Sequence, residues 1–185
     1  MSEPEIGRIA VLTEPRGRFI IEEYPLPKPA PGTVLLKGEL AGICGTDAHI
    51  YRGHGDPSLF PLVLGHENVG KIVALGEGVE RDFMGNSIRL GDRIAVKPGV
   101  SCNSCYMCLV RKSPTRYPNK RGAYGFRPPH TSPFNGGFAE YLYLDIPGTF
   151  FFRTEAPAER AVLLEPLTIA VHAFFSFKER GQNQF

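Results

Sequence analysis

The chain has no long uninterrupted hydrophobic run. Its most apolar stretch, AVLLEPLTIAVHAFFSF (161–177), is broken by Glu165, Pro166 and His172. It falls short of the ~20 residues that cross a bilayer, so no membrane partner is expected. Neither sign of charge dominates: 21 Lys and Arg stand against 19 Asp and Glu, a formal net charge of +2. That balance argues against a polyanionic partner, and no nucleic-acid partner is expected. The one cluster of basic residues, Arg111, Lys112, Arg116, Lys120 and Arg121, reads as a solvated loop. The opening MSEPEIGRIAVL lacks a basic segment followed by a long apolar one, so no secretory signal is expected. Cysteine is scarce. There are four in 185 residues, and three of them fall between 102 and 108. Such crowding is metal spacing rather than stapling, with two disulfides as the alternative. It points to a reducing, cytoplasmic compartment.

What is present is ordinary for a globular chain: 42% hydrophobic and 22% charged residues over a length that suits one domain, or one domain and part of another. Up to about residue 150 the pattern is of short strands. IGRIAVL (6–12), RFIIEEY (18–24), TVLLKGELA (33–41), VGKIVAL (69–75), DRIAVKP (92–98) and FAEYLYL (138–144) carry β-branched and aromatic residues. Pro and Gly separate them, as in PLPKPAPG, RLGDR and PFNGG. Strands so spaced predict a β-barrel or sandwich. After Pro147 the character changes. Leu163, Leu164, Leu167, Ala170, Val171 and Phe174 recur at helical spacing, with Thr154 as the expected N-cap. Pro166 should break the run, which predicts two short helices meeting near Glu165.

Two segments carry chemistry. ELAGICGTDAHIYRG (39–53) holds Cys44, Thr46, Asp47 and His49, and PLVLGHENVGKIVALGEGV (61–79) holds His66 and Glu67. A thiolate, an imidazole and a carboxylate are what a catalytic zinc site takes from a protein while leaving one position open. Taken singly, a Cys is most often a small buried hydrophobe and a His-Glu pair a surface feature. Their combination inside Gly-marked turns favours the metal. A second cluster, Cys102, Cys105 and Cys108, has the C-x2-C-x2-C spacing of a structural metal lobe. A closed zinc lobe takes four ligands, and the position expected for the fourth is Arg116. His130 is a distant candidate, and a degenerate lobe holding its shape without metal is the alternative.

With these residues assembled, the chain resembles the zinc-dependent alcohol and polyol dehydrogenases of the medium-chain dehydrogenase/reductase superfamily, from about residue 7 to about 178. AGICGTDAHIYRG is similar to the family's first ligand turn, and PLVLGHENVGKIVALGEGV to its GHE signature. Cys102 to Cys108 is similar to its structural zinc lobe, and LLEPLTIAVHAF to its third-ligand segment. The resemblance implies a mainly β fold with some α. Residues 1–153 would form a GroES-like β-barrel catalytic domain, its zinc lobe at about 98–122. Residues 154–185 would be the first helices of a Rossmann cofactor domain.

The resemblance also implies roles. Cys44, His66 and Glu165 would hold the catalytic zinc. Glu67 would stand beside them or ligate in exchange with water. Asp47 would hydrogen-bond His66, Thr46 would touch the substrate oxygen, and His49 would pass the proton to solvent. Substrate would be a small alcohol, polyol or sugar, and the hydride acceptor NAD or NADP. The dinucleotide turn is lacking: Gly53-His-Gly55 and Gly76-Glu-Gly78 are the only Gly-x-Gly steps, and neither continues as Gly-x-Gly-x-x-Gly. The chain is therefore expected to be the zinc half of a dehydrogenase, inactive alone. Leu163, Leu164, Leu167, Val171, Phe174 and Phe175 would then lie partly exposed and favour self-association. The alternative is a stand-alone zinc-binding or partner-binding GroES-like module without catalysis.

Overall fold

The structure, a computed structural model, describes residues 5–110 and 121–182. In chain order the elements are β1 (Ile6–Leu12), β2 (Phe19–Pro25), β3 (Val34–Gly42), α1 (Gly45–Tyr51), β4 (Leu62–Val63), β5 (Glu67–Leu75), β6 (Arg93–Val96), β7 (Gly99–Val100), α2 (Tyr106–Leu109), β8 (Gly122–Ala123), β9 (Tyr141–Leu144), β10 (Phe151–Arg153), α3 (Ala158–Ala161) and α4 (Leu164–Gln182). The strands form an antiparallel five-stranded sheet in the order β10-β6-β5-β3-β9, a three-stranded sheet β2-β1-β4, and the pair β7-β8. An isolated bridge between Ile9 and Ala139 links the two larger sheets. The expected sheet-rich, mainly β chain with a helical end is what is found.

Alternation sets the core. Along β1, Gly7, Ile9 and Val11 turn inward while Ile6 and Arg8 face out. Val34 and Leu36 of β3, Ile72 of β5 and Ile94 and Val96 of β6 meet Leu142 and Leu144 of β9 in one buried cluster. A second packs Ile9, Val11, Leu35 and Val63 around Phe134 and Tyr141. Each such aliphatic side chain withdrawn from water contributes about 1.5–3 kcal/mol.

The strand pair β3–β5 is what positions the candidate site. Its register sets Gly42, the last residue of β3, opposite Glu67, the first of β5. Cys44 follows one strand end by two residues and His66 precedes the other by one, so pairing alone brings the two segments together. Register shifts at Leu35/Leu36 and Gly38/Leu40 bend β3 on its way there.

The helical end departs from expectation in two respects. Thr154 does not cap a helix: its Oγ1 accepts from the Ala156 N–H at 3.1 Å, and α3 begins only after Pro157. Two helices do meet near Glu165, but the second is not short. The break comes at Val162–Leu163, and α4 runs 19 residues with Pro166 in its first turn. N–H groups there have no intrahelical partner to lose, so proline is tolerated. Among the described residues no helix is long and apolar enough to cross a membrane. All four cysteines are free, which removes the disulfide alternative. Arg116 lies outside the described residues.

Candidate metal centre

Ligand atoms of Cys44, His66 and Glu67 lie within 4.8 Å of one another. Donors around one tetrahedral zinc stand about 3.3–3.8 Å apart, so the set is within roughly an ångström of closing on an ion. Backbone shape makes this approach feasible. Gly65 has φ +90°, and a Cβ there would meet Phe138 Cδ1 at 2.7 Å. At Gly42 a Cβ would occupy the space taken by the Glu67 carboxylate. Glycine is required at both positions by what packs over it.

Asp47 ties the two segments together. It is 3% exposed, on α1, and its Oδ2 accepts from the Cys44 N–H at 2.9 Å. Its Oδ1 accepts from the Gly65 N–H at 3.3 Å and faces His66 Nδ1 at 3.4 Å. That nitrogen is buried and makes no formed hydrogen bond, in a ring that is 5% exposed. Burial is the largest influence on His66 and disfavours its charge. The Asp47 carboxylate and then the Cys44 sulfur override it, pushing the pKa up to about 9. Thiol, imidazole and carboxylate are the donor set zinc prefers, and the residues present fit that ion.

The remaining sequence candidates fall around this group. Glu165, in the first turn of α4, is not in the tight cluster. Its carboxyl is nevertheless raised above its ordinary value, chiefly by burial, and it senses His66 and Glu67 electrostatically. Thr46 is exposed, with its Oγ1 3.7 Å from Cys44 Sγ. His49 stands exposed in the last turn of α1, its ring 5.6 Å from that of His54.

Two contributors escaped the sequence reading. Phe126 lies against the His66 ring, centroids 4.8 Å apart. Asn68 Nδ2 donates to the Gly65 carbonyl at 3.1 Å, and the same carbonyl accepts from the Gly137 N–H at 2.8 Å. The Gly65-His66 turn is thus held from behind by the Gly136-Gly137 segment. The one available signal was the PFNGG glycine pair, which reads equally well as an ordinary turn.

The second cluster also assembles. Cys102 Sγ and Cys105 Sγ lie 3.6 and 3.5 Å from Cys108 Sγ. The Ser104 backbone N–H leads in pulling the Cys102 thiol down to about 6, against desolvation and with help from Cys105. Desolvation, then the neighbouring sulfurs, push Cys108 up. His130 is not among the donors grouped here.

The sequence pattern of the family described as "Alcohol dehydrogenase GroES-like domain" matches residues 30–150. The chain is 39% identical over 163 residues to the starvation-sensing protein RspB of Escherichia coli K12, covering 88% of this chain and 44% of that protein. It is 32% identical over 177 residues to a sorbitol dehydrogenase of Bacillus subtilis, covering 92% of this chain and 45% of that protein. A solved alcohol dehydrogenase from Escherichia coli CFT073, complexed with NADH, superimposes with a TM-score of 0.71 at 37% identity, over 90% of this chain and 44% of that one. The chain thus spans less than half the length of these relatives. The matched span includes the Cys44 and His66 turns and the three-cysteine lobe, and the chain belongs to the family of alcohol dehydrogenase GroES-like domains.

Proposed function

We propose that these residues form the substrate side of a zinc-dependent oxidoreductase, one that interconverts an alcohol, polyol or sugar hydroxyl with its carbonyl and exchanges hydride with NAD or NADP. Residues 1–153 are its catalytic domain, with the cysteine lobe at about 98–122, and 154–185 open its cofactor-binding domain. Cys44, His66 and Glu165 would hold the zinc, with Glu67 beside them or in exchange with water. When bound, zinc supplies a Lewis acid that polarises a substrate oxygen without redox chemistry of its own. The observation that carries this reading is the convergence of the Cys44, His66 and Glu67 donor atoms within 4.8 Å.

The chain's own residues do the rest. Asp47 orients His66 and fixes the Cys44 turn through its two oxygens. Thr46, beside the Cys44 sulfur, places a hydroxyl where a substrate oxygen would release its proton. His49 stands three residues further along α1, on the same helical face and open to water, and exchanges that proton with solvent. Hydride transfer needs a carrier, and side chains are poor ones. The NADH held by the E. coli CFT073 relative supports a nicotinamide in that role.

Zinc titration against a chromophoric chelator tests the reading. Cys44→Ser and His66→Ala should each remove one tight equivalent from the 185-residue chain. The same 185 residues, given sorbitol and NAD, should show no turnover. Unchanged zinc stoichiometry in both variants would sink the assignment.

A further inference from the structure

We infer that the Cys102–Cys108 loop is an open-coordination zinc site, in which three thiolates come from this chain and the fourth position takes a small-molecule thiolate from solution. The sulfur geometry comes first. Separations of 3.5 and 3.6 Å are far longer than a disulfide and close to the about 3.8 Å edge of a zinc–thiolate tetrahedron. The backbone is built to present them. Asn103 turns the chain at φ +54°, Cys105 caps α2, and the Cys108 N–H returns to the Cys105 carbonyl at 3.0 Å. Backbone N–H groups of Ser104 and Cys105 are directed at the Cys102 sulfur.

The count of donors then stops at three. Cys44 belongs to the other cluster, and residues 109–123 contain no Cys, His, Asp or Glu. Among the described residues no His, Cys, Asp or Glu joins these three sulfurs within 4.8 Å. A tetrahedral ion here therefore keeps one face for an outside donor.

Access and charge select that donor. The three cysteines are only half-buried, and Asn103, Ser104, Tyr106, Leu109 and Val110 around them are exposed. Zinc with three thiolates carries one negative charge. Lys97 is close enough to sense Cys108. A cation so placed lowers the cost of a further anion, and a thiolate-rich ion prefers a soft one.

Cobalt(II) replaces zinc as the probe, in protein kept reduced by a phosphine rather than a thiol. Cobalt in the lobe should give sulfur-to-metal charge-transfer absorption that Cys105→Ser removes. Adding 2-mercaptoethanol should raise that absorption by roughly a third, as three thiolates become four, and shift the ligand-field bands. The part of the response absent from Cys105→Ser is the part that counts. Equal cobalt loading and equal spectra in the two proteins would overturn the metal. A lobe spectrum indifferent to thiol would overturn the open position. If Cys105→Ser does not fold, alkylation of the unaltered chain answers for the metal, and the thiol response of its cobalt spectrum answers for the fourth position. Zinc should protect Cys102, Cys105 and Cys108, and labelling of all three at the metal-free rate overturns the site. Cys44 is read as a separate peptide, so failure here is distinguishable from failure of the catalytic reading.

Discussion

Asp47 joins more of the candidate site than any other side chain described, since Cys44, Gly65 and His66 all meet its carboxylate. Asp47→Asn keeps the shape but turns one acceptor into a donor facing a backbone N–H. Zinc affinity should fall about 10- to 100-fold, as measured by chelator competition, with the far-ultraviolet circular dichroism unchanged. Undiminished affinity would reduce Asp47 to a helix-start residue. Its meeting with His66 was legible in the sequence through family resemblance, because both residues sit inside recognisable turns. Its hold on the Cys44 and Gly65 backbones was not. Those bonds depend on the turn conformation at Gly65, which side-chain identities do not specify. Asn68 and Phe126 were missed for a related reason: each acts through a neighbour that only folding supplies.

At the scale of elements, the strands of the large sheet were readable because alternation and Pro-Gly punctuation agree along them. β10 was not, being three half-buried residues with no alternation to see. It is held partly by Asp82, whose oxygens accept from the N–H groups of Met84, Asn86 and Arg153 and from Asn86 Nδ2. Asp82→Ala leaves these donors without an acceptor and should cost about 2–3 kcal/mol in urea unfolding at neutral pH. The loss should depend on pH. Burial acts to raise the Asp82 carboxyl, but the Asn86 side chain and the backbone N–H groups outweigh it and hold it below the usual range. A depressed carboxyl stabilises the fold fully above its unfolded value. That contribution is lost as pH falls through the lower folded one. The gap between parent and variant should therefore begin to narrow below about pH 4 and go on closing as pH falls further, and a gap that stays constant through that range would mean that packing, not charge, is what Asp82 supplies.

The whole molecule is two unlike surfaces on one chain. The sheets close over their clusters, while α4 touches little beyond β5 and carries Leu163 just before it with Leu167, Val171, Phe174 and Phe175 at 45–66% exposure. The helical spacing of these residues was legible. The position of the break was not, because a proline in a first helical turn is compatible with the helix it was expected to end. An apolar face on a water-exposed helix is expected to favour association. The 185-residue chain should sediment above the mass of one copy at micromolar concentrations, with the excess growing as concentration rises. Leu167→Glu with Phe174→Glu should return it to one copy while leaving zinc binding at Cys44 and His66 intact. A single sharp monomer boundary for the unaltered chain would show that α4 folds back over its own apolar side chains instead.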